Sequence, residues 1–323
     1  MSQNMHHNTL SPGYRLQWFS IEQVLGQGDF GVTYLALDSI LDRHVAIKEY
    51  LPVKLAVRDG AALVRPSTEE RSESYLAGLE LFIDEARRVA KVEHPNVVRV
   101  LNVFVANNTA YMVMRHEDGE SLYALLERRR TLEQGELLRF LIPVLNGLEK
   151  IHNAGFLHCN ITPASILLRK DGSPVLLDFG FARQAVGEKT EALPSMLSPG
   201  YAAVEQYYGK GDQLGPWTDI YGLGATLYRC IAGIDPPDAL ERSQNLILTS
   251  KEILVSARQV GGPRYSEKLL RAIDHALSLN PPKRPQSIAA WRREFSLSPE
   301  PPVQDAPRPE PRPEPRPEPR PEP

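Results

Sequence analysis

Hydrophobic and polar positions alternate along the first third of the chain, as is typical of β-strands. We predict strands in four segments: YRLQWFSIEQVLG, VTYLALD, RHVAIKEYL and VVRVLNVFVANNTAYMVMRH. Asn107 and Asn108 interrupt the last segment and indicate a hairpin turn there. One helix is predicted among these strands because its apolar residues share a single face at a period of 3.6: Leu79, Phe82, Ile83, Ala86, Val89 and Ala90.

After Met114 the pattern becomes helical. The segment TLEQGELLRFLIPVLNGLEKIHNAG begins with Thr131 and Gln134 in the positions of a capping box. Its apolar residues repeat along one side at helical spacing: Leu137, Leu141, Val144, Leu148 and Ile151. A strand-rich first third followed by a helix-rich remainder predicts an α+β protein of two lobes, with a ligand cleft near their junction.

Both ends of the chain are expected to lie outside this folded region. We expect residues 1–13 to be disordered, and the folded region to extend over residues 14–296. Residues 297–323 are a proline-rich tail that becomes a Pro-Arg-Pro-Glu repeat from Pro307 to Pro323. Such a segment cannot form a core and predicts an extended, disordered tail. Such a tail is a solvated spacer, a linker to a further domain or a docking site for a proline-binding module.

Composition excludes several classes of function. The 323 residues are 42% hydrophobic and 24% charged, which is ordinary for a globular protein. The formal charge of −3 argues against a nucleic-acid partner, because phosphate-backbone binders carry a clustered basic surface. No apolar run approaches the ~18 residues of a membrane span, and the start does not resemble a signal peptide, so we expect a cytoplasmic protein. Cys159 and Cys230 lack metal or redox spacing and are expected to be reduced thiols.

A candidate nucleotide site begins in the first hairpin. The segment LGQGDFGVTYLA places Gly26, Gly28 and Gly31 in a tight loop, where glycine lets backbone N–H groups approach a phosphate. A glycine-rich hairpin without a ligand is an equally common alternative. Lys48 lies inside the apolar strand that follows, where an unpaired ammonium is costly, and Glu85 on the predicted helix is its expected partner.

The order of these features, GxGxxG, VAIK and a helical glutamate, resembles that of a protein kinase. The segment DFG at residues 178–180, Glu205 in GYAAVEQY, Asp219 in GPWTDIYGLGATLY and Arg284 in LNPPKRPQSIAAW extend the resemblance. The motifs are most similar to those of bacterial serine/threonine kinases, especially a proteobacterial group with KEYLP after the strand lysine and GYxxxEQY after the activation loop. In that family the aspartate steadies the catalytic loop, and the arginine pairs with the glutamate.

The resemblance covers almost the whole folded region. It implies a two-lobed protein-kinase-like fold, with a sheet-rich N-lobe at residues 14–116 and a helical C-lobe at residues 117–296. It also implies that ATP or ADP binds with Mg²⁺ in the cleft between the lobes.

The resemblance assigns roles to individual residues of the cleft. Lys48, held by Glu85, would contact the α- and β-phosphates, and Asp178 would bind Mg²⁺. Met114 would be the gatekeeper, and residues 115–117, ending at Glu117, would form the hinge. The loop glycines Gly26, Gly28 and Gly31 would contact the phosphates. Ala46 and Leu167 would lie on either side of the adenine.

The catalytic loop departs from the family pattern, because HCNITPASI stands where HRDIKPDNI is usual. Asn160 replaces the catalytic aspartate, and a neutral amide cannot accept the substrate's proton, a loss of roughly 10² to 10⁴ in rate. Thr162 replaces a lysine that stabilises phosphoryl charge, and Ser165 replaces an asparagine ligand of the second Mg²⁺ by a weaker hydroxyl. At the loop tip, Asp29 either repels the γ-phosphate or points into solvent.

These substitutions predict a pseudokinase that binds ATP or ADP with Mg²⁺ and serves as a scaffold or allosteric regulator of a protein partner. An active serine/threonine kinase of low or unusual activity, acting on a protein substrate, is the alternative from the same family. A kinase-like fold that binds no nucleotide is a third hypothesis, against which the retained Lys48, Glu85 and Asp178 argue.

Overall fold

The computed structural model describes residues 8–60, 62–180, 197–208 and 213–295. The strands in these ranges are β1 (Arg15–Leu16), β2 (Phe19–Gly28), β3 (Gly31–Asp38), β4 (Arg43–Tyr50), β5 (Ala56–Asp59), β6 (Leu63–Pro66), β7 (Val100–Ala106), β8 (Thr109–Arg115), β9 (Gly119–Ser121), β10 (Ile166–Arg169) and β11 (Pro174–Leu176). The α-helices are α1 (Ser72–Val89), α2 (Leu122–Arg129), α3 (Gln134–Asn153), α4 (Val204–Tyr207), α5 (Pro216–Ala232), α6 (Ala239–Thr249), α7 (Ala257–Gly261), α8 (Glu267–Ala276) and α9 (Ile288–Glu294). This order confirms the predicted α+β architecture, in which a sheet-rich lobe precedes a helical one.

The first lobe is built on an antiparallel sheet of six strands in the order β1-β2-β3-β4-β8-β7. Asn107 and Asn108 connect β7 to β8, where Ala106 pairs with Thr109. Both asparagines have positive φ, 52° and 57°. Positive φ at both central residues is the property of a type I′ turn, whose twist suits a two-residue hairpin. The predicted hairpin is therefore confirmed.

Helix α1 packs against β7 and β8 and confirms the helix predicted among the strands. Its predicted face is directed inward: Phe82, Ala86 and Val89 are buried, and Leu79 and Ile83 are half-buried. Ala90 is exposed, because the helix ends at Val89.

Helix α3 presents the predicted apolar face to the core of the second lobe. Five residues are each 0% exposed: Leu137, Leu141, Val144, Leu148 and Ile151. The predicted capping box of Thr131 and Gln134 is wrong, because the structure forms it from Glu133 and Glu136. The helix begins late because Leu132 is buried and donates its backbone N–H to the carbonyl of Cys230 on α5, at 3.0 Å.

Two small sheets were not predicted. Strands β9, β10 and β11 form one of them, in the order β11-β10-β9, and lie within the region that we expected to be helical. Strands β5 and β6 pair as a separate hairpin between β4 and α1. Strands of three or four residues are too short to show a two-residue periodicity.

The folded part begins earlier than the sequence suggested. Leu10 is 1% exposed, and its backbone N–H donates to the hydroxyl of Tyr34, at 3.1 Å. The backbone N–H of Arg58 donates to Oδ1 of Asn8, at 2.7 Å. The prediction of disorder is therefore wrong for residues 8–13, because hydrogen bonds and burial hold this segment against β3 and β5.

Residues 1–7 and the Pro-Arg-Pro-Glu tail at 297–323 lie outside the described residues. Within the described ranges, no helix is long and apolar enough to cross a membrane. Cys159 and Cys230 are buried thiols, and burial raises the pKa of Cys230 to about 12.

A buried ion pair joins two distant segments of the second lobe. The guanidinium of Arg284 contacts both carboxylate oxygens of Glu205, at 2.7 and 3.0 Å. The hydroxyl of Thr218 donates to the same carboxylate, at 2.9 Å, and the guanidinium lies over the ring of Tyr221. The pairing inferred from the family resemblance is thus present, with its charges satisfied on both sides.

We predict that Arg284→Ala lowers the free energy of unfolding by about 3 to 5 kcal/mol, because it leaves the Glu205 carboxylate buried without its partner. Denaturant unfolding of the two proteins measures this loss. The matched control is Arg65→Ala, which removes an exposed pair with Asp59 and is expected to cost at most about 1 kcal/mol. Equal losses in the two variants would contradict the prediction.

Candidate functional site

A cleft of about 660 Å³ lies between the six-stranded sheet and the helical lobe. Nearly all of the predicted site residues line it: Gly26, Gly28, Gly31, Ala46, Lys48, Met114, Glu117, Asn160, Thr162, Ser165, Leu167 and Asp178. Glu85 is 4% exposed and is not among the residues that line the cleft. Sequence segments that lie more than a hundred residues apart thus meet at one cavity.

Sequence reasoning missed several lining residues: Leu25, Thr33, Val98, Gly119, Ser121, Leu177 and Ser198. A signal existed for Thr33, because side chains two positions apart share a face of a strand and Gly31 was already assigned to the cleft. Thr33 also pairs with Lys48 across β3 and β4. At position 119 glycine is required for steric reasons, because a Cβ there would lie 2.1 Å from the carbonyl oxygen of Leu168.

The three loop glycines differ in what surrounds them. A Cβ at Gly31 would lie 2.0 Å from the carbonyl oxygen of Glu49, so the strand pairing itself requires glycine there. Gly26 and Gly28 face open space, with nothing within 4 Å of an added Cβ. Of the three, these two leave room in the cleft for a ligand to approach the backbone.

The tip of the glycine-rich loop is tied to the segment after β4. The carbonyl of Asp29 accepts the N–H of Val53 at 3.0 Å, and the carbonyl of Phe30 accepts the N–H of Leu51 at 3.2 Å. Asp29 is exposed and does not line the cleft, whereas Phe30 is buried. Of the two alternatives for Asp29, the structure favours a carboxylate that points into solvent.

Lys48 forms an ion pair with Asp178, and its Nζ lies 3.0 Å from Oδ1 of the carboxylate. The Lys48 side chain is 9% exposed, and that of Asp178 is 43% exposed. The prediction that Glu85 is the partner of Lys48 is wrong for this structure. A buried ammonium needs a carboxylate, and the chain that leaves β11 brings Asp178 to it from the other lobe.

Asn160 holds two segments together through its side-chain amide. Its Nδ2 donates to the backbone carbonyl of Asp178 at 2.9 Å, and its Oδ1 accepts from the hydroxyl of Ser198 at 3.2 Å. Gly180 lies against it, since a Cβ there would be 2.7 Å from the Cβ of Asn160. The amide group thus connects the catalytic loop with the chain on both sides of residues 181–196, which lie outside the described residues.

Thr162 and Ser165 hydrogen-bond to each other at the ends of a short 3-10 turn, Pro163–Ser165. The backbone N–H of Thr162 donates to Oγ of Ser165 at 2.9 Å, and the N–H of Ser165 donates to Oγ1 of Thr162 at 3.3 Å. Oγ of Ser165 also donates to the carbonyl of Thr162, at 3.0 Å. The two residues are 8% and 2% exposed. Their hydroxyls therefore stabilise the turn that leads into β10.

Asp219 on α5 fixes the start of the catalytic loop. Its carboxylate accepts the backbone N–H groups of His158 and Cys159, at 2.9 and 2.7 Å, and lies 2.8 Å from Nε2 of His152. Burial would raise the pKa of Asp219, but the hydrogen bond with His152 holds it below the usual value. Cys159 has a φ of 59°, which is unfavourable for a residue with a Cβ, so these bonds stabilise a strained backbone.

Two buried rings stack on each other next to the catalytic loop. The ring of His158 lies on that of Phe179, with 4.4 Å between centroids. Val89 and Val100 are buried in the same apolar cluster. Burial lowers the pKa of His158 to about 4, even though the charge of Asp219 opposes this shift.

Among the described residues of the cleft, few side chains could bind a metal ion. No group of three or more His, Cys, Asp or Glu side chains capable of holding a metal occurs in the part of the chain that the structure describes. The carboxylates that line the cleft belong to Asp178 and Glu117, and Glu117 pairs with Arg169 at 2.7 Å near the hinge. Asp178 therefore has the right chemistry for Mg²⁺, provided that a ligand such as a phosphate supplies further oxygens.

Comparisons with known proteins match this architecture. The model of the protein kinase domain matches residues 19–296. Serine/threonine-protein kinase PknK of Mycobacterium tuberculosis is 32% identical over 280 residues, which are 84% of this chain and 23% of that protein. Serine/threonine-protein kinase pkn3 of Myxococcus xanthus is 27% identical over 291 residues, 86% of this chain and 49% of that protein. The chain thus spans about a quarter and about a half of the lengths of these two relatives.

Solved structures give the same result. The apo form of PpkA-294 is 36% identical with a TM-score of 0.79, and the match covers 89% of this chain and 99% of that one. The kinase domain of M. tuberculosis PknI is 20% identical with a TM-score of 0.65, covering 90% and 100%, a likeness of fold alone. The predicted two-lobed kinase fold is confirmed.

We predict that protonation of His158 contributes to acid destabilisation. The pKa is about 4 in the folded protein against 6.5 ordinarily, so between these values the unfolded chain binds a proton that the folded protein does not. The free energy of unfolding therefore falls as the pH drops from about 6.5 to 4, by about 3 kcal/mol in total from this group.

Denaturant unfolding at several pH values, for the wild type and for His158→Phe, measures this contribution. The aromatic replacement retains a ring against Phe179 but cannot take up a proton. We expect a shallower pH dependence in the variant over this window, and parallel curves would contradict the assignment.

Proposed function

The chain belongs to the protein kinase domain family, and on that premise we propose that it is a pseudokinase. It binds ATP or ADP with Mg²⁺ in the cleft, transfers phosphate very slowly or not at all, and regulates a protein partner as a scaffold or allosteric element. The setting that we propose is the cytoplasm, with the tail at residues 297–323 as a linker or as a docking segment for a proline-binding module.

One observation carries the proposal: the side chains at the three altered catalytic positions are engaged in holding the loop. Asn160 bridges the backbone of Asp178 and the hydroxyl of Ser198. Thr162 and Ser165 cap the same turn. A general base needs a group that accepts the substrate's proton, and an amide and two alcohols do not supply one. The catalytic loop therefore keeps its structure without the groups that perform the reaction.

The nucleotide side of the cleft, in contrast, keeps its usual groups. Lys48 provides a cation for phosphate, and Asp178 provides an anion that would hold Mg²⁺, which would supply positive charge to neutralise the phosphates. Gly26 and Gly28 leave the loop backbone accessible from the cleft. Ala46 and Leu167 line the same cleft as Glu117 and would contact the adenine on its two sides.

An active serine/threonine kinase of low activity is the second candidate. It is favoured by the intact support of the catalytic loop, in which Asp219 accepts two backbone N–H groups, and by the Glu205–Arg284 pair. The relatives that match this chain are also named as kinases. Catalysis by positioning and charge alone could then retain part of the rate.

Regulation by a nucleotide requires a difference in affinity. A ligand changes the balance between two lobe arrangements only to the extent that it binds one of them more tightly. Lys48 and Asp178 come from different lobes, so a ligand that contacts both of them is sensitive to how the lobes are arranged.

We predict that Mg-ATP stabilises the protein through Lys48. At 100 times its dissociation constant, the nucleotide should add about 2.7 kcal/mol to the free energy of unfolding. Lys48→Ala should abolish most of this gain, because it removes the cation that contacts the phosphates. Thermal unfolding with and without Mg-ATP measures the effect.

Lys91→Ala is the matched control, because Lys91 is exposed beyond the end of α1 and does not line the cleft. It should respond to nucleotide as the wild type does. An unchanged melting temperature in the wild type, or the same increase in Lys48→Ala, would refute nucleotide binding at this site.

We predict that Asn160→Asp alone restores little phosphate transfer. The substitution adds a carboxylate but removes the donor to the carbonyl of Asp178, and Thr162 and Ser165 remain unchanged. Transfer of radiolabelled phosphate to a generic protein acceptor measures the rate. The triple variant Asn160→Asp, Thr162→Lys, Ser165→Asn is expected to exceed the single variant by at least tenfold.

Asp178→Ala in each background controls for contaminating kinases, since any transfer that persists in it does not come from this protein. Wild-type activity that disappears in Asp178→Ala and matches that of the triple variant would favour the active-kinase candidate.

A further inference from the structure

We infer that this cleft holds its nucleotide with a single divalent cation at Asp178, in place of the two that protein kinases hold. In the family, the second cation is bound by the asparagine of the catalytic loop and the first by the DFG aspartate. The inference rests on the proposed binding of nucleotide, and it concerns the oxygens that this chain offers to a second ion.

The hydrogen bonds of Ser165 leave its side chain poorly suited to bind a cation. Its Oγ accepts the backbone N–H of Thr162 at 2.9 Å and donates to the carbonyl of Thr162 at 3.0 Å. The residue is 2% exposed. A cation at this oxygen would have to compete with an N–H group for its lone pairs and shed water, which Mg²⁺ does reluctantly.

The backbone groups of Ser165 are also engaged. Its N–H donates to Oγ1 of Thr162, at 3.3 Å, and its carbonyl accepts the N–H of Leu177, at 2.8 Å. The second bond ties the turn to the end of β11, directly before Asp178. Moving Ser165 toward a cation would therefore disturb the strand that positions the first cation's ligand.

Among the described residues that line the cleft, no acid replaces the missing asparagine. The carboxylates among the residues that line the cleft are Asp178 and Glu117. Glu117 lies near the hinge and pairs with Arg169, at 2.7 Å. Asn160 directs its Oδ1 to the hydroxyl of Ser198, so this oxygen already accepts a hydrogen bond.

The charges in the cleft also argue against a second cation. The carboxylate of Asp178 is already shared with the ammonium of Lys48, so the cleft supplies one anion and one cation close together. One Mg²⁺ can be held between this carboxylate and the phosphates. A second would add two positive charges without a further carboxylate from the described part of the cleft.

The test counts the Mn²⁺ ions that bind for each bound molecule of a non-hydrolysable ATP analogue. Mn²⁺ serves as the probe in place of Mg²⁺. Equilibrium dialysis of the whole chain at saturating analogue and rising Mn²⁺ gives the ratio of protein-bound Mn²⁺ to protein-bound nucleotide. We expect a ratio of one in the wild type, with no second step as Mn²⁺ rises to millimolar concentration. A ratio of two in the wild type would overturn the inference and leave nucleotide binding intact.

Two serine-to-asparagine variants sharpen the count. Ser165→Asn restores a carbonyl ligand and is expected to raise the ratio to two. Ser250→Asn is the matched control, because Ser250 is exposed and remote from the cleft, and its φ of 56° suits asparagine. Its ratio should stay at one. A ratio that stays at one in a folded Ser165→Asn would overturn the assignment of the missing site to Ser165.

The failure of the proposed function would look different. If no analogue is retained at any Mn²⁺ concentration, the nucleotide-binding function falls, and the single-cation inference falls with it. The wild-type count needs no variant, so it remains decisive even if Ser165→Asn does not fold.

Discussion

The carboxylate of Asp219 is the constraint on which the rest of the site depends. It holds two consecutive backbone N–H groups, of His158 and Cys159, and thereby stabilises the positive φ of Cys159. That conformation sets the direction in which the chain reaches Asn160. The carbonyl of His158 then accepts the N–H of Gly180, at 2.8 Å, which ties the catalytic loop to the segment that carries Asp178. A single buried carboxylate thus positions both the catalytic loop and the segment that carries Asp178.

This dependence explains how the catalytic loop keeps its structure with Asn160, Thr162 and Ser165 at positions where the family pattern has other residues. Asp219 contacts the catalytic loop through backbone N–H groups, so these contacts do not depend on the side chains at positions 160, 162 and 165. At those positions the present side chains form hydrogen bonds with their neighbours. Thr162 and Ser165 satisfy each other as a capping box, and Asn160 bridges two segments. The loop's stability and its chemistry are therefore separable.

The sequence predicted elements whose signal is local or periodic. The buried face of α3 follows from its 3.6-residue repeat, and the turn at Asn107 and Asn108 follows from the tolerance of asparagine for positive φ. The Glu205–Arg284 pair came from the family resemblance, because 79 residues separate the two side chains. Short strands such as β9 carry too few residues for a period, and the packing of Leu10 depends on a tertiary contact with Tyr34 that no local pattern encodes.

The partner of Lys48 shows why the contacts within the site were harder to predict than the identity of the residues that line it. The sequence established that a buried ammonium needs a carboxylate, and it pointed to Glu85. The carboxylate that reaches Lys48 in the structure is that of Asp178, and this depends on how the lobes sit, which is a property of the whole fold. In the structure the pair spans the two lobes, from β4 to the chain after β11. Phosphate would compete with Asp178 for Lys48, and a cation would compete with Lys48 for Asp178. A nucleotide bound here would therefore replace an interaction that joins the lobes directly by one in which the ligand joins them, and this exchange would give the ligand a physical means of acting on the lobe arrangement.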